Sequence, residues 1–156
     1  MTGGELGPTA CPWRALLHSL RLRQWLKNAF VFAPAVFGLQ FADPLALMHV
    51  LGAFFAFSLA ASGTYLINDV VDREADRANP RTQHRPIARG EVQPATALVT
   101  ACVLSAAGMA LAWLAQALLP LVLYILASHA YSLIFKRVMV LDVVCLASLY
   151  VLRLVA

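Results

Sequence analysis

Leu45–Ile67 reads LALMHVLGAFFAFSLAASGTYLI, and the residues that follow, Asn68–Glu91, read NDVVDREADRANPRTQHRPIARGE. The first stretch contains no Asp, Glu, Lys or Arg. It is long enough to cross a bilayer as a helix, which takes about 20 apolar residues. The second stretch holds ten of the chain's twenty charged residues: Asp69, Asp72, Glu74, Asp76 and Glu91 against Arg73, Arg77, Arg81, Arg85 and Arg89. A helix that passes straight from lipid into a block of mixed charge fixes where the membrane ends. It also fixes where any chemistry must sit.

Composition agrees with a membrane-embedded chain. Hydrophobic residues make up 61% and charged residues 13%, with a mean hydropathy of +0.73, whereas soluble domains carry about 25% charged residues. The net charge of +4 bears on topology, and the absence of polybasic runs interleaved with aromatics excludes nucleic-acid binding. Cys11, Cys102 and Cys145 form no CxxC or Cys/His spacing and read as small apolar residues rather than disulfides or metal ligands.

Outward from the charged block, the apolar runs predict five spans at about residues 29–42, 45–67, 95–118, 121–135 and 138–156. Asp43-Pro44 and Leu119-Pro120 read as tight hairpin links. The fold class expected is all-α, a polytopic transmembrane helix bundle. Residues 1–12 are Gly- and Pro-bearing and are expected to be disordered. Residues 13–28, WRALLHSLRLRQWLKN, read as one amphipathic interfacial helix with basic and aromatic anchors. The transmembrane domain then covers 29–156, with the acidic and basic loop at 68–93. With five spans, the leader, the loop and Lys136-Arg137 share one face, which the positive-inside rule assigns to the cytoplasm. Asp142 and Arg153 lie inside the fifth run; Asp142 is near enough to the loop side to pair there, and Arg153 has no obvious partner. The chain stops within an apolar run, and we read it as incomplete.

Spacing gives the charged block a chemistry. If the helix of 45–67 continues, Asn68, Asp72 and Asp76 fall at i, i+4 and i+8 on one face, with Asp69 beside them. Carboxylates so close repel one another unless a cation intervenes. Oxygen donors without His or Cys suit a hard ion such as Mg²⁺, which completes its shell with water and phosphate oxygens. Arg81, Arg85 and Arg89, set among Pro80, Pro86 and Gly90, predict an ordered loop whose guanidinium groups can pair with phosphate. The same charges also suit a solvated loop that pairs only with itself, and the spacing leaves both readings open. His18, His49, His84 and His129 are scattered and make no ligand set.

The motifs carry a resemblance. N68-D-x-x-D72-x-x-x-D76 after the second span, the trailing R85-P-I-A-R-G90, and Tyr131-Ser132 with Lys136-Arg137 resemble the UbiA superfamily of intramembrane prenyltransferases. The leader L20-R-x-x-Q-W-x-K-N28 and Y65-L-I-N-D69 are most similar to its decaprenyl-phosphate phosphoribosyltransferase branch. The resemblance implies a transferase with a cavity open to the cytoplasmic face and laterally to lipid. Asn68, Asp69, Asp72 and Asp76 would hold Mg²⁺ against a diphosphate. Lys27, Arg85 and Lys136, with Arg21 and Arg81, would neutralise phosphate oxygens, and Tyr131 would orient substrate or metal-bound water. The donor would be a small molecule bearing a diphosphate, the acceptor a polyprenyl lipid; a homo-oligomer stays open. An aromatic prenyltransferase is the second enzyme reading, and a non-catalytic membrane partner or transporter fragment the reading of another class. The second aspartate-rich motif of the superfamily does not occur in this chain.

Overall fold

The computed structural model describes residues 12–38 and 42–133 and is all-helical over them. The expectations placed on residues 1–11, on the fifth span with Asp142 and Arg153, and on Lys136-Arg137 lie outside the described residues.

The chain opens with α1 (Pro12–Ser19), a 3-10 helix over Leu22–Phe32 and α2 (Ala33–Phe37). α3 (Pro44–Val71) leads into α4 (Arg73–Ala78) and the single turn α5 (Pro86–Arg89), followed by α6 (Pro94–Leu114) and α7 (Leu118–Leu133). α3 and α6 are each long and apolar enough to cross a membrane; the described part of α7 is shorter. At 1.5 Å per residue α3 reaches about 42 Å, beyond the roughly 30 Å of a hydrocarbon core, so its last turn with Asn68 and Asp69 emerges at the interface. Asp43 caps its start, its carboxylate accepting the Leu45 N–H at 2.9 Å, with Pro44 at the first helical position.

Three sequence expectations need correction. Residues 13–28 are not one helix: α1 stops at Ser19, and Arg21 takes a left-handed conformation (φ 52, ψ 48) that turns the chain. The helical segment before the first hairpin begins at Leu22, ahead of the apolar run at 29–42. Its 3-10 helix and α2 together extend about 30 Å, because the 3-10 form rises about 2.0 Å per residue. Pro34 contributes, having no N–H to donate back to Phe30; the Phe30 carbonyl instead accepts from Ala33. The second hairpin turns at Gln116 (φ 58), where the Ala117 N–H reaches the Ala112 carbonyl at 2.8 Å, and Pro120 sits in the first turn of α7.

Small residues let α3 and α6 meet backbone to backbone, the packing lipid favours because apolar burial offers no drive between spans. A Cβ on Gly108 would stand 2.9 Å from the Ala56 carbonyl oxygen, and one on Gly63 would stand 2.7 Å from Ser105 Oγ and 3.0 Å from the Ala101 carbonyl. Phe57, against Tyr124 at 5.3 Å between ring centroids, ties α3 to α7. Gly108→Ala is therefore expected to destabilise the protein by about 1–3 kcal/mol, the usual range for an overpacked site. Ala110→Val, on an exposed position of the same helix, should be near neutral. Equal melting temperatures for the two variants in detergent would refute the close approach.

Candidate functional site

The site grows from the end of α3. Asp72 forms the junction with α4 (φ −86, ψ 6), yet the hydrogen-bond register passes through it. The Asp72 N–H donates to the Asn68 carbonyl at 2.8 Å, and the Asp76 N–H donates to the Asp72 carbonyl at 2.8 Å. The i, i+4, i+8 row of Asn68, Asp72 and Asp76 thus survives with a bend at its middle. Asp69 is 3% exposed and Asp76 6%, while Asn68 and Asp72 are half-buried.

Buried carboxylates require partners, and two arginines from distant segments supply them. Arg21 Nη2 lies 2.6 Å from Asp69 Oδ1. Arg85 Nη1 lies 3.1 Å from the same Asp69 oxygen and 2.7 Å from Asp76 Oδ2. The Arg21 guanidinium also lies over the Tyr65 ring, 4.9 Å from its centroid, a cation–π contact that fixes its plane. Tyr65 sits one turn before Asp69, a spacing that could have identified it from the sequence.

Arg21 is held in its strained conformation from below. Ser62 Oγ donates to the Leu20 carbonyl at 2.9 Å and accepts from Trp25 Nε1 at 3.0 Å. One helical turn earlier, Asn28 Nδ2 donates to Ser58 Oγ at 3.0 Å. These polar rivets lock the 3-10 helix along α3. A non-glycine residue at positive φ costs on the order of 1–2 kcal/mol, and such strain is characteristic of positions that serve a site.

The loop is ordered, as its arginines and prolines predict, but it includes the helical turn α5. Arg85 is extended before Pro86, as a residue preceding proline prefers, and Gly90 (φ 81) closes the turn in the left-handed region. Arg77 is structural: its Nε donates to the Ala88 carbonyl at 2.8 Å and its Nη1 pairs with Glu74 at 3.1 Å, fastening α4 to α5. Arg73 Nε is buried and has no hydrogen-bond partner among the described residues.

A cavity of about 250 Å³ opens beside Asp69, with His18, Arg21, Arg81, His84 and Arg85 among its walls. The structure thus brings Asp69, Asp76, Arg21, Arg85 and Arg81 together. Lys27 does not join them: it is exposed on the 3-10 helix between Trp25 and Asn28, whose contacts are with Ser62 and Ser58, about two turns of α3 before Asp69. The Tyr131 side chain and Lys136 lie outside the described residues. His18 and His84, which showed no shared spacing, meet at the cavity only through the fold. His129 has Nδ1 2.8 Å from the Ile125 carbonyl within its own helix.

No group of three His, Cys, Asp or Glu side chains converges as a ready metal cage among the described residues. The donor set nevertheless fits a hard cation. Asp69 Oδ1 and Asp76 Oδ2 converge on one positively charged nitrogen, Arg85 Nη1, and they leave the remaining ligand positions to water and phosphate oxygens, as Mg²⁺ prefers.

The sequence is similar to known proteins. The UbiA prenyltransferase family model matches residues 30–156. Decaprenyl-phosphate phosphoribosyltransferase of Mycolicibacterium smegmatis is 38% identical over 97% of this chain and 51% of its own length. The protein of that name from Corynebacterium glutamicum is 34% identical over 90% of this chain and 44% of its own. Protoheme IX farnesyltransferase of Stutzerimonas stutzeri is 48% identical over a shorter part, 35% of this chain and 18% of its own. The chain spans about half the length of the phosphoribosyltransferases it matches. With the family model covering most of its length and a membrane helix bundle carrying the aspartate row, the chain belongs to the UbiA prenyltransferase family.

Proposed function

We propose that this chain carries the first aspartate-rich half of the site of a membrane transferase. The enzyme moves a 5-phosphoribosyl group from phosphoribosyl pyrophosphate to a polyprenyl phosphate such as decaprenyl phosphate, a step toward cell-wall arabinan precursors. The observation that carries the reading is the convergence of two buried carboxylates on one cationic nitrogen where α3 leaves the membrane. Relatives that match 90% or more of this chain include proteins that bear the name of that reaction. The basic loop and leader, by the positive-inside rule, put this face in the cytoplasm.

Asn68, Asp69, Asp72 and Asp76 would hold Mg²⁺. When bound, the ion supplies charge neutralisation for a diphosphate leaving group. Arg85 is placed to give up its carboxylates and turn its fork to diphosphate oxygens, for which a guanidinium is geometrically matched. Arg21, fixed by Tyr65 and Ser62, stays on Asp69 and keeps that carboxylate aimed. In the reaction the bond from the ribose anomeric carbon to the diphosphate oxygen breaks, and the diphosphate leaves with the electron pair. A phosphate oxygen of the lipid forms the new bond. The residues contribute chiefly preorganised charge.

The test is titration calorimetry on the protein, carried through its full reading frame, with phosphoribosyl pyrophosphate and geranyl diphosphate, each with and without Mg²⁺. Mg²⁺-dependent binding of the ribosyl donor alone is expected. Binding of geranyl diphosphate alone would move the protein to prenyl transfer onto an aromatic acceptor. Binding of neither would leave a membrane partner or transporter element and overturn the transferase reading.

A further inference from the structure

The cavity beside Asp69 has more basic groups than its carboxylates use. Arg21 and Arg85 are committed to Asp69 and Asp76. The Arg81 guanidinium and the imidazoles of His18 and His84 line the same cavity, and none has a hydrogen-bond or ion-pair partner among the described residues. Arg81 is not merely loose. Its backbone N–H donates to Asn79 Oδ1 at 3.0 Å, and Thr82 Oγ1 and N–H bond back to the Asp76 and Asn79 carbonyls at 3.3 and 3.0 Å, so the loop presenting it is ordered. His18 comes from the last turn of α1, and the side chains converge from two segments far apart in the chain.

Depth separates these groups from the aspartates. Asp69 is the buried carboxylate in the cavity wall, with Asp76 buried behind Arg85, whereas His18, Arg81 and His84 are exposed at the rim. A ligand with one anionic group on the floor has room, in about 250 Å³, to place a second at the rim.

We infer that Arg81, His18 and His84 form a second phosphate subsite, for a phosphate monoester, distinct from the diphosphate position at the aspartates. This deepens, and rests on, the transferase reading above. Such a rim rewards a donor phosphorylated at both ends and gives nothing to a prenyl diphosphate, whose far end is apolar. It is therefore a specificity-determining site. The monoester can come from the sugar donor or from the head of the polyprenyl phosphate; the chemistry recognised is the same.

The experiment compares the wild-type protein, Arg81→Ala, and the double variant His18→Gln/His84→Gln, all full-length in detergent. The probes are phosphoribosyl pyrophosphate and inorganic diphosphate with Mg²⁺, and geranyl monophosphate. All three side chains are exposed, so both variants should melt with the wild type. The expected result is at least about a tenfold loss of affinity for phosphoribosyl pyrophosphate in each variant, with inorganic diphosphate affinity unchanged within about twofold. If geranyl monophosphate binding falls instead, the subsite stands and holds the lipid phosphate. Equal losses for phosphoribosyl pyrophosphate and inorganic diphosphate would merge the rim with the diphosphate position and overturn the inference. Unchanged affinities for all three probes would overturn it as well. Failure of the transferase reading looks different: wild-type protein would then bind neither phosphoribosyl pyrophosphate nor inorganic diphosphate in the presence of Mg²⁺.

Discussion

Arg85→Ala is expected to cost the protein about 2–4 kcal/mol of stability. Removing one partner of a buried ion pair typically costs about 3–5 kcal/mol, because the charge left behind is uncompensated. Two features set the value here at the lower side. The Arg85 side chain is 29% exposed, so water recovers part of the loss, and Arg21 still faces Asp69 at 2.6 Å. Among the described residues Asp76 pairs with Arg85 alone, and its side chain is only 9% exposed. In a chain of this size the loss corresponds to a melting temperature lower by roughly 5–15 °C. The variant Arg85→Lys keeps the charge and should lose less. Adding Asp76→Asn to Arg85→Ala should return part of the stability, since the orphaned charge is then gone. A melting temperature for Arg85→Ala equal to that of the wild type would mean the two carboxylates do not depend on this guanidinium.

That network explains which parts of the molecule were readable from residue order. Hydropathy located α3 and α6 within a few residues, because a span is defined by an unbroken local run and needs no knowledge of neighbours. The aspartate row was equally local: i, i+4, i+8 spacing depends only on helix continuity, and the backbone bonds through Asp72 preserve it. Gly63 and Gly108 stand where α3 and α6 approach most closely, as small residues do at helix interfaces in lipid.

The pairing of Arg21 with Asp69 was not legible in this way. It depends on a left-handed residue at Arg21, which no propensity favours, and on Ser62 and Trp25 holding the chain there. The stretched 3-10 segment escaped for a related reason. Apolar periodicity distinguishes helix from strand, but not a 3-10 helix from an α-helix over one short run. The ion pairs of the charged block bear on its reading as a solvated loop. Its charges do pair with one another, as a self-paired loop would; yet Asp69 and Asp76 do so out of contact with water, where an ordinary solvated loop would not place them.

Asp72→Asn should separate catalysis from folding. Asp72 sits at the α3–α4 junction, and its backbone groups carry the register from Asn68 to Asp76. Asparagine has nearly the same volume and retains one side-chain oxygen, so the junction and the backbone bonds through it are kept. What is lost is one negative charge from the face that would hold Mg²⁺. Groups of this kind act on charge developing in the transition state, and removing one such contribution costs on the order of 100- to 1000-fold in turnover. The expected result is therefore a fall of at least about 100-fold in turnover, a higher Mg²⁺ concentration for half-maximal activity, and a melting temperature within a few degrees of wild type. Asp69→Asn should behave differently: Arg21 and Arg85 both lose the charge they contact, so stability falls together with activity. If Asp72→Asn keeps its turnover and its Mg²⁺ dependence, the aspartate row is not the metal face, and the cation at this site is the arginine pair alone.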